Sequence, residues 1–149
     1  MFKNLFKQGK EKFAELKTEA LKYKSKDFLN AALGGSALVA YADGSIDPEE
    51  KKKMMAFIQH NEALSIYDTS EAIKCFNDYV ETFGFDYDIG RAKAMQAIGK
   101  MRGKEEQARL IIRMVIAIAA SDGDFDEQEK VVALDIAKEL GLDPSEFSL

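Results

Sequence analysis

Apolar residues recur at intervals of three and four along most of this chain, as in Phe2, Leu5 and Phe6, then Phe13, Leu16, Ala20 and Tyr23. That interval gathers them on one face of a helix, and no convincing alternation of the strand kind appears. Breaks at Gly, Asp and Pro divide the pattern into helices near residues 2–24, 27–42, 48–60, 70–83, 88–101, 104–120 and 127–140, with a last turn after Pro144. The expected fold is all-α, a compact helical bundle of about seven helices.

Several of these starts carry an acidic cap with Glu three residues later: Asp47 and Glu50, Asp68 and Glu71, Asp126 and Glu129, Asp143 and Glu146. In such a box the Asp accepts from an orphan amide of the first turn and the Glu reaches back to the cap. Pro48 and Pro144 follow two of the caps, where a missing N–H costs nothing.

Two of the starts belong to an internal repeat. Residues 40–50 align with residues 119–129 without a gap, so that Asp-Gly-x-apolar-Asp-x-x-Glu occurs twice. Each copy follows an apolar helix and opens another, which makes it a helix, tight turn, helix unit. Gly44 and Gly123 are expected to take the left-handed conformation that ends the first helix, and Ile46 and Phe125 to turn inward.

Six acids therefore stand in matched places: Asp43, Asp47, Glu50, Asp122, Asp126 and Glu129. Helix capping accounts for Asp47, Glu50, Asp126 and Glu129. Asp43 and Asp122 are different, because each follows the C-terminal end of an apolar helix, where the macrodipole disfavours an anion by up to about 1 kcal/mol. Turn chemistry, in which Asp commonly precedes Gly, is one answer. A compensating cation is the other.

The pattern overlaps the calcium loop of EF-hands from its fifth position onward, but Val39, Tyr41, Ile118 and Ala120 stand where the earlier ligands would be. One turn alone is thus a poor ion site. Two turns meeting across a pseudo-two-fold axis would supply six carboxylates, with a donor set suited to Ca²⁺, Mg²⁺ or Mn²⁺ rather than Zn²⁺.

Charge divides the chain in two. Residues 1–26 hold eight Lys against three Glu, a net +5, so the remainder carries −10 within a total of −5. The acidic body argues against nucleic acid, whose phosphates call for clustered cations. The domain reading follows the same division, a basic amphipathic helix over residues 1–26 and a helical domain over 27–149. In the arm, Phe2, Lys3, Leu5, Phe6 and Lys7 are candidates for contact with a partner or an anionic membrane surface. Docking of the same apolar stripe on the bundle is the alternative, as is fraying of the lysines over the acidic body.

The longest apolar run, residues 110–120, is 11 residues interrupted by Arg113. That is well short of the ~20 needed to span a membrane. A single cysteine, Cys75, fits a reducing compartment, so the cytoplasm is the expected location. Cys75 reads as a packing thiol, His60 as a cation near a helix end, and Gly34 with Gly35 as a place of close helix contact. Tyr67, Tyr79, Phe85 and Tyr87 make a candidate aromatic patch whose side the periodicity leaves open.

The duplicated Ala-Asp-Gly-x-Ile-x-x-x-Glu turn in a small helical chain resembles the tellurite-resistance TerB family, over about residues 27–149. Carried over residue by residue, the motif falls on Asp43, Gly44, Ile46 and Glu50, then on Asp122, Gly123 and Glu129. Ser121 replaces Ala42 and Phe125 replaces Ile46 in the second copy. The resemblance implies a bundle of two related halves, an acidic surface and a non-enzymatic part in bacterial resistance to tellurite, phage, colicins and other stresses. It also implies a metal-binding role for the acidic turns and, as partners, a membrane protein of the TerC type and other tellurite-resistance proteins, at the inner face of the membrane. Two competing readings use the same acids differently: a metal-dependent hydrolase whose clustered carboxylates activate water, and a scaffold without metal.

Overall fold

The computed structural model describes residues 25–60, 67–122 and 125–149, with the Asp122 side chain outside that set. The expected helix over residues 2–24 and the expected left-handed Gly123 also lie outside it. Six α-helices follow in order: α1 (Lys26–Ala40), α2 (Pro48–His60), α3 (Thr69–Phe85), α4 (Tyr87–Gly99), α5 (Glu105–Ala119) and α6 (Glu127–Glu139). Short 3-10 helices cover Ala120–Asp122 and Pro144–Phe147. Among the described residues there is no strand, and the chain folds as the all-α bundle that the apolar spacing predicts.

The centre is α1, which packs on α3, α4, α5 and α6. Such a position requires a helix that is apolar all round, and α1 buries every residue of Ala31, Ala32, Leu33, Gly34, Gly35, Ser36, Ala37, Leu38 and Val39. Gly34 and Gly35 make the close approaches possible: a Cβ on Gly34 would stand 2.9 Å from Cζ of Tyr79, and one on Gly35 2.8 Å from Cγ2 of Val115. The one fully buried polar residue named in this core, Ser36, donates from its hydroxyl to the Ala32 carbonyl at 2.7 Å.

Helix α5 holds the long apolar run of the sequence, with Arg113 turned to solvent. It is a core helix, and no helix among the described residues is long and apolar enough to cross a membrane.

Most helix starts follow the capping chemistry. Amides donate to Asp47 from Glu50 at 2.9 Å, to Asp68 from Glu71 at 3.2 Å, and to Asp126 from Glu129 at 2.8 Å. At Asp126 the reciprocal bond is present too, its amide donating to Oε1 of Glu129 at 3.1 Å. Asp143 departs from the expected box: Oδ1 accepts from the Ser145 amide at 3.0 Å, while Glu146 is drawn away to Arg109 at 3.2 Å. The Ser145 amide and hydroxyl together hold the Asp143 carboxyl below its usual range.

Three helix ends differ from the sequence reading by two residues. Helix α1 stops at Ala40 rather than 42, α4 stops at Gly99 rather than 101, and α3 continues through Gly84 to Phe85. The extension of α3 arises because one residue serves both neighbours. Asp86, in extended backbone, donates its amide to the Thr82 carbonyl at 2.9 Å and accepts on its side chain from the Ile89 amide at 3.1 Å. With both helix ends satisfied at a single residue, no longer loop is needed.

Candidate functional site

The first Asp-Gly turn begins where α1 runs out. Tyr41 is the C-cap, the Ala42 amide donates to the Val39 carbonyl at 3.0 Å, and the Gly44 amide donates to the Tyr41 carbonyl at 2.9 Å. Gly44 has φ of +94°, as expected for the residue that reverses the chain. Asp43 is exposed, and its Oδ1 accepts from the Ser45 amide at 3.2 Å. This side-chain turn gives Asp43 a local role in the loop and occupies one carboxylate oxygen. Asp47 is exposed, Glu50 is half-buried, and Ile46 packs partly buried against the core. The turn is tied to α3 through Tyr41, whose ring stacks on Phe83 at 5.2 Å and whose hydroxyl donates to the Val80 carbonyl at 3.4 Å.

The second turn has a different body. Helix α5 tightens into the 3-10 helix Ala120–Asp122, Ala120 is buried, and Phe125 is completely buried. Asp126 and Glu129 are half-buried and bonded to each other's backbone amides. Ser121, which stands where the first copy has Ala42, carries a buried hydroxyl with no hydrogen-bond partner among the described residues. An orphaned buried oxygen costs about 1–3 kcal/mol, so it calls for a partner.

Helix α2, which the first turn opens, packs on α5 and on the 3-10 helix that begins the second turn, while α1 packs on α6. Each copy's leading helix thereby meets part of the other copy. Among the described residues no three His, Cys, Asp or Glu side chains gather into an ion-holding group. An ion at the turns therefore depends on Asp122. The donors available are all oxygens, including the unsatisfied Ser121 hydroxyl beside Asp122 and the second oxygen of Asp43, and such a set fits Ca²⁺, Mg²⁺ or Mn²⁺.

A second polar constellation lies between α1, α3 and α4. Asn30 is its hub: Oδ1 accepts from the Tyr79 hydroxyl at 3.3 Å and from the Cys75 thiol at 3.5 Å, and Nδ2 donates to the Lys26 carbonyl at 2.9 Å. A cleft of about 200 Å³ opens above it, with Lys26, Lys74 and Lys93 on its walls. The ammonium of Lys93 sits 5.0 Å from the centre of the Tyr79 ring. Burial pushes the Cys75 thiol up to about 11, with Asp78 adding to the rise and Lys93 opposing it. Burial likewise pushes Tyr79 up to about 12. Both groups are neutral donors at physiological pH, so Cys75 is a packed, hydrogen-bonded thiol and a poor nucleophile. The sequence carried one signal of this network, a single Asn inside the apolar segment Phe28, Leu29, Ala31, Ala32 and Leu33.

His60 stands exposed in the last turn of α2, where the helix dipole favours a cation. The arm residues Phe2, Lys3, Leu5, Phe6 and Lys7 lie outside the described residues.

Comparison with known proteins adds the family. Residues 29–149 match the family model described as Tellurite resistance protein TerB. A curated relative, the tellurium resistance protein TerB of Alcaligenes sp, is 35% identical over 102 residues, covering 68% of this chain and 84% of that protein. No solved structure matches. The paired Asp-Gly turns lie wholly inside the matched region. This chain belongs to the TerB family of tellurite resistance proteins.

Proposed function

We propose that this protein is a non-enzymatic, acidic interaction module of the tellurite and stress response, with a divalent cation held at its two Asp-Gly turns. The site depends on Asp122, with Asp43, Asp47, Glu50, Asp126 and Glu129 as the candidate ligands of the two turns and the Ser121 hydroxyl as a further oxygen; the five described acids do not by themselves gather in threes. A bound Ca²⁺, Mg²⁺ or Mn²⁺ would tie oxygens of the two turns together and so join the two halves of the bundle. The observation that carries the reading is the packing of α2 on the 3-10 helix of the second turn, where Ser121 keeps a buried hydroxyl without a partner among the described residues. The chain's own contribution is rigidity, since each turn opens a helix capped by its own Asp, so Asp47 and Asp126 are positioned before any ion arrives.

The module acts in the cytoplasm, at the inner face of the membrane, with a membrane protein of the TerC type and other tellurite-resistance proteins as partners. Family membership supports the resistance role, and the basic residues 1–26 supply charge suited to an anionic surface.

Calorimetric titration of metal-stripped protein with Ca²⁺, Mg²⁺ and Mn²⁺ tests the ion. Binding heat that disappears in Asp122→Asn is expected, together with a melting temperature that rises with the ion and falls on chelation. At an ion concentration of 100 Kd the stabilisation is about 2.7 kcal/mol. No heat and no shift at millimolar ion would leave a metal-free scaffold. Liposome flotation with and without residues 1–12 tests the membrane contact, and equal recovery in the soluble fraction would remove it.

A further inference from the structure

We propose that the acidic, aromatic corner between α3 and α4 is a docking surface for this chain's own lysine-rich residues 1–24. The proposal stands apart from the ion reading, which concerns the opposite chemistry at other turns.

Large apolar side chains exposed at this corner come close together in sequence: Phe85 is 85% exposed, Ile89 53% and Tyr87 37%. An isolated exposed Leu or Val needs no explanation, but a group of large rings and a branched side chain at one bend marks a contact site. The corner is also built rather than loose. Beneath the exposed residues, the Phe83 ring lies between Tyr41 at 5.2 Å and Tyr87 at 5.8 Å, and Gly90 has no side chain because a Cβ there would meet Phe83 at 2.6 Å. Asp86 closes both helix ends within one residue. Phe85 and Ile89 are thus held outward on a packed base, which lowers the ordering cost of binding.

Charge then selects the occupant. Residues 81–89 contain Glu81, Asp86 and Asp88 and no Lys or Arg. All three acids are exposed, and among the described residues none is in an ion pair. The nearest cation in sequence, Arg91, is engaged by Asp135 at 3.6 Å. A complementary segment must bring an apolar stripe flanked by positive charge. Residues 1–24 do so, with Phe2, Leu5, Phe6, Phe13 and Leu16 among seven Lys and three Glu.

The segment can also reach. The Ser25 amide lies 3.4 Å from the Tyr67 hydroxyl, so the arm joins the body beside the start of α3, and the corner is at the other end of that helix. The 17 residues of α3 span about 25 Å, whereas 24 residues in helical form span about 36 Å. An arm running along α3 brings its first turns to Phe85 and Ile89. The same apolar stripe would face a membrane in the function proposed above, so docking and membrane contact exclude each other, and the corner becomes the arm's resting place in solution.

Carbodiimide cross-linking of the full chain, which joins Lys to carboxylates in direct contact, followed by peptide mass spectrometry, tests this. Links from Lys3, Lys7 or Lys10 to Asp86 or Asp88 are expected within the monomer. Their yield should fall several-fold in Phe85→Ser with Ile89→Ser and again in high salt. The single variant Asp88→Lys, which leaves the apolar residues in place, should lower it as well, so the outcome does not hang on one variant's folding. Links confined to a covalent dimer would assign the corner to a second copy, and links undiminished in the variants or spread over other carboxylates would place the arm elsewhere. Any of these results overturns the proposal. Liposome flotation reads the membrane role separately, so failure of one does not imply failure of the other.

Discussion

The two Asp-Gly turns share a sequence pattern and differ in depth. The first lies open, with Asp43, Asp47 and Ser45 exposed, Ile46 half-buried and no atom within 4 Å of the position a Gly44 Cβ would occupy. The second is embedded at its described residues, with Ala120 and Phe125 in the core and a buried hydroxyl at Ser121. The difference comes from the neighbours: α2 covers the 3-10 helix of the second turn, whereas the first turn is tied down mainly through Tyr41 against α3. Matching residues in a repeat therefore do different work. In the first copy the pattern shapes a surface loop, and in the second it anchors part of the core.

If that contrast is right, the largest effect belongs to the anchors. Phe125→Ala should cost about 3–5 kcal/mol, as expected when a fully buried ring leaves a cavity. Ile46→Ala should cost less than half as much, and equal shifts in denaturant midpoint for the two would erase the distinction. Next comes Gly44→Ala, with a loss of about 1–2 kcal/mol. Because the site has open space around it, that loss measures the positive φ alone, and an unchanged thermal midpoint would show that the turn relaxes freely.

Smaller effects should separate the caps. Asp126→Ala removes a complete capping box and should cost about 1 kcal/mol or more. Asp47→Ala, at the exposed start of α2, is expected at or below that figure in the same urea series. The smallest effect has the opposite sign. In the presence of chelator, Ser121→Ala should leave stability unchanged or raise it by up to about 1 kcal/mol, since it deletes an unsatisfied buried oxygen. With divalent ion present the same substitution should reduce the ion's protection. A clear loss of stability in chelator would mean that the hydroxyl already has a structural partner.

The helices, their caps and the duplicated turn were legible in the sequence because each depends on residues three or four apart. Apolar spacing marked α1 to α6, and Asp with a following Glu marked the starts of α2, α3 and α6. The misjudged ends have local causes too: Asp86 serves two helices at once, so Gly84 did not need to break α3. The site was harder to read. Capping is legible for Asp47 and Asp126, whereas at Asp43 spacing leaves turn chemistry and a compensating cation both open, and the bond from the Ser45 amide gives it the turn role. Asn30, bonded to Cys75 and Tyr79, escaped notice because its partners are more than 40 residues away.

From sequence alone, this protein's class, its repeat, its division into a basic arm and an acidic body, and its resemblance to the TerB family could be determined, since all are properties of composition and short-range spacing. Tertiary structure alone decided which copy of the repeat is buried, that α2 meets the 3-10 helix of the second turn, and that Phe85 and Ile89 face outward. Those outcomes depend on which helices pack together, and packing is settled by shape and volume across the whole bundle: a pair of glycines admits Tyr79 and Val115 against α1, and the remaining helices take the places left to them.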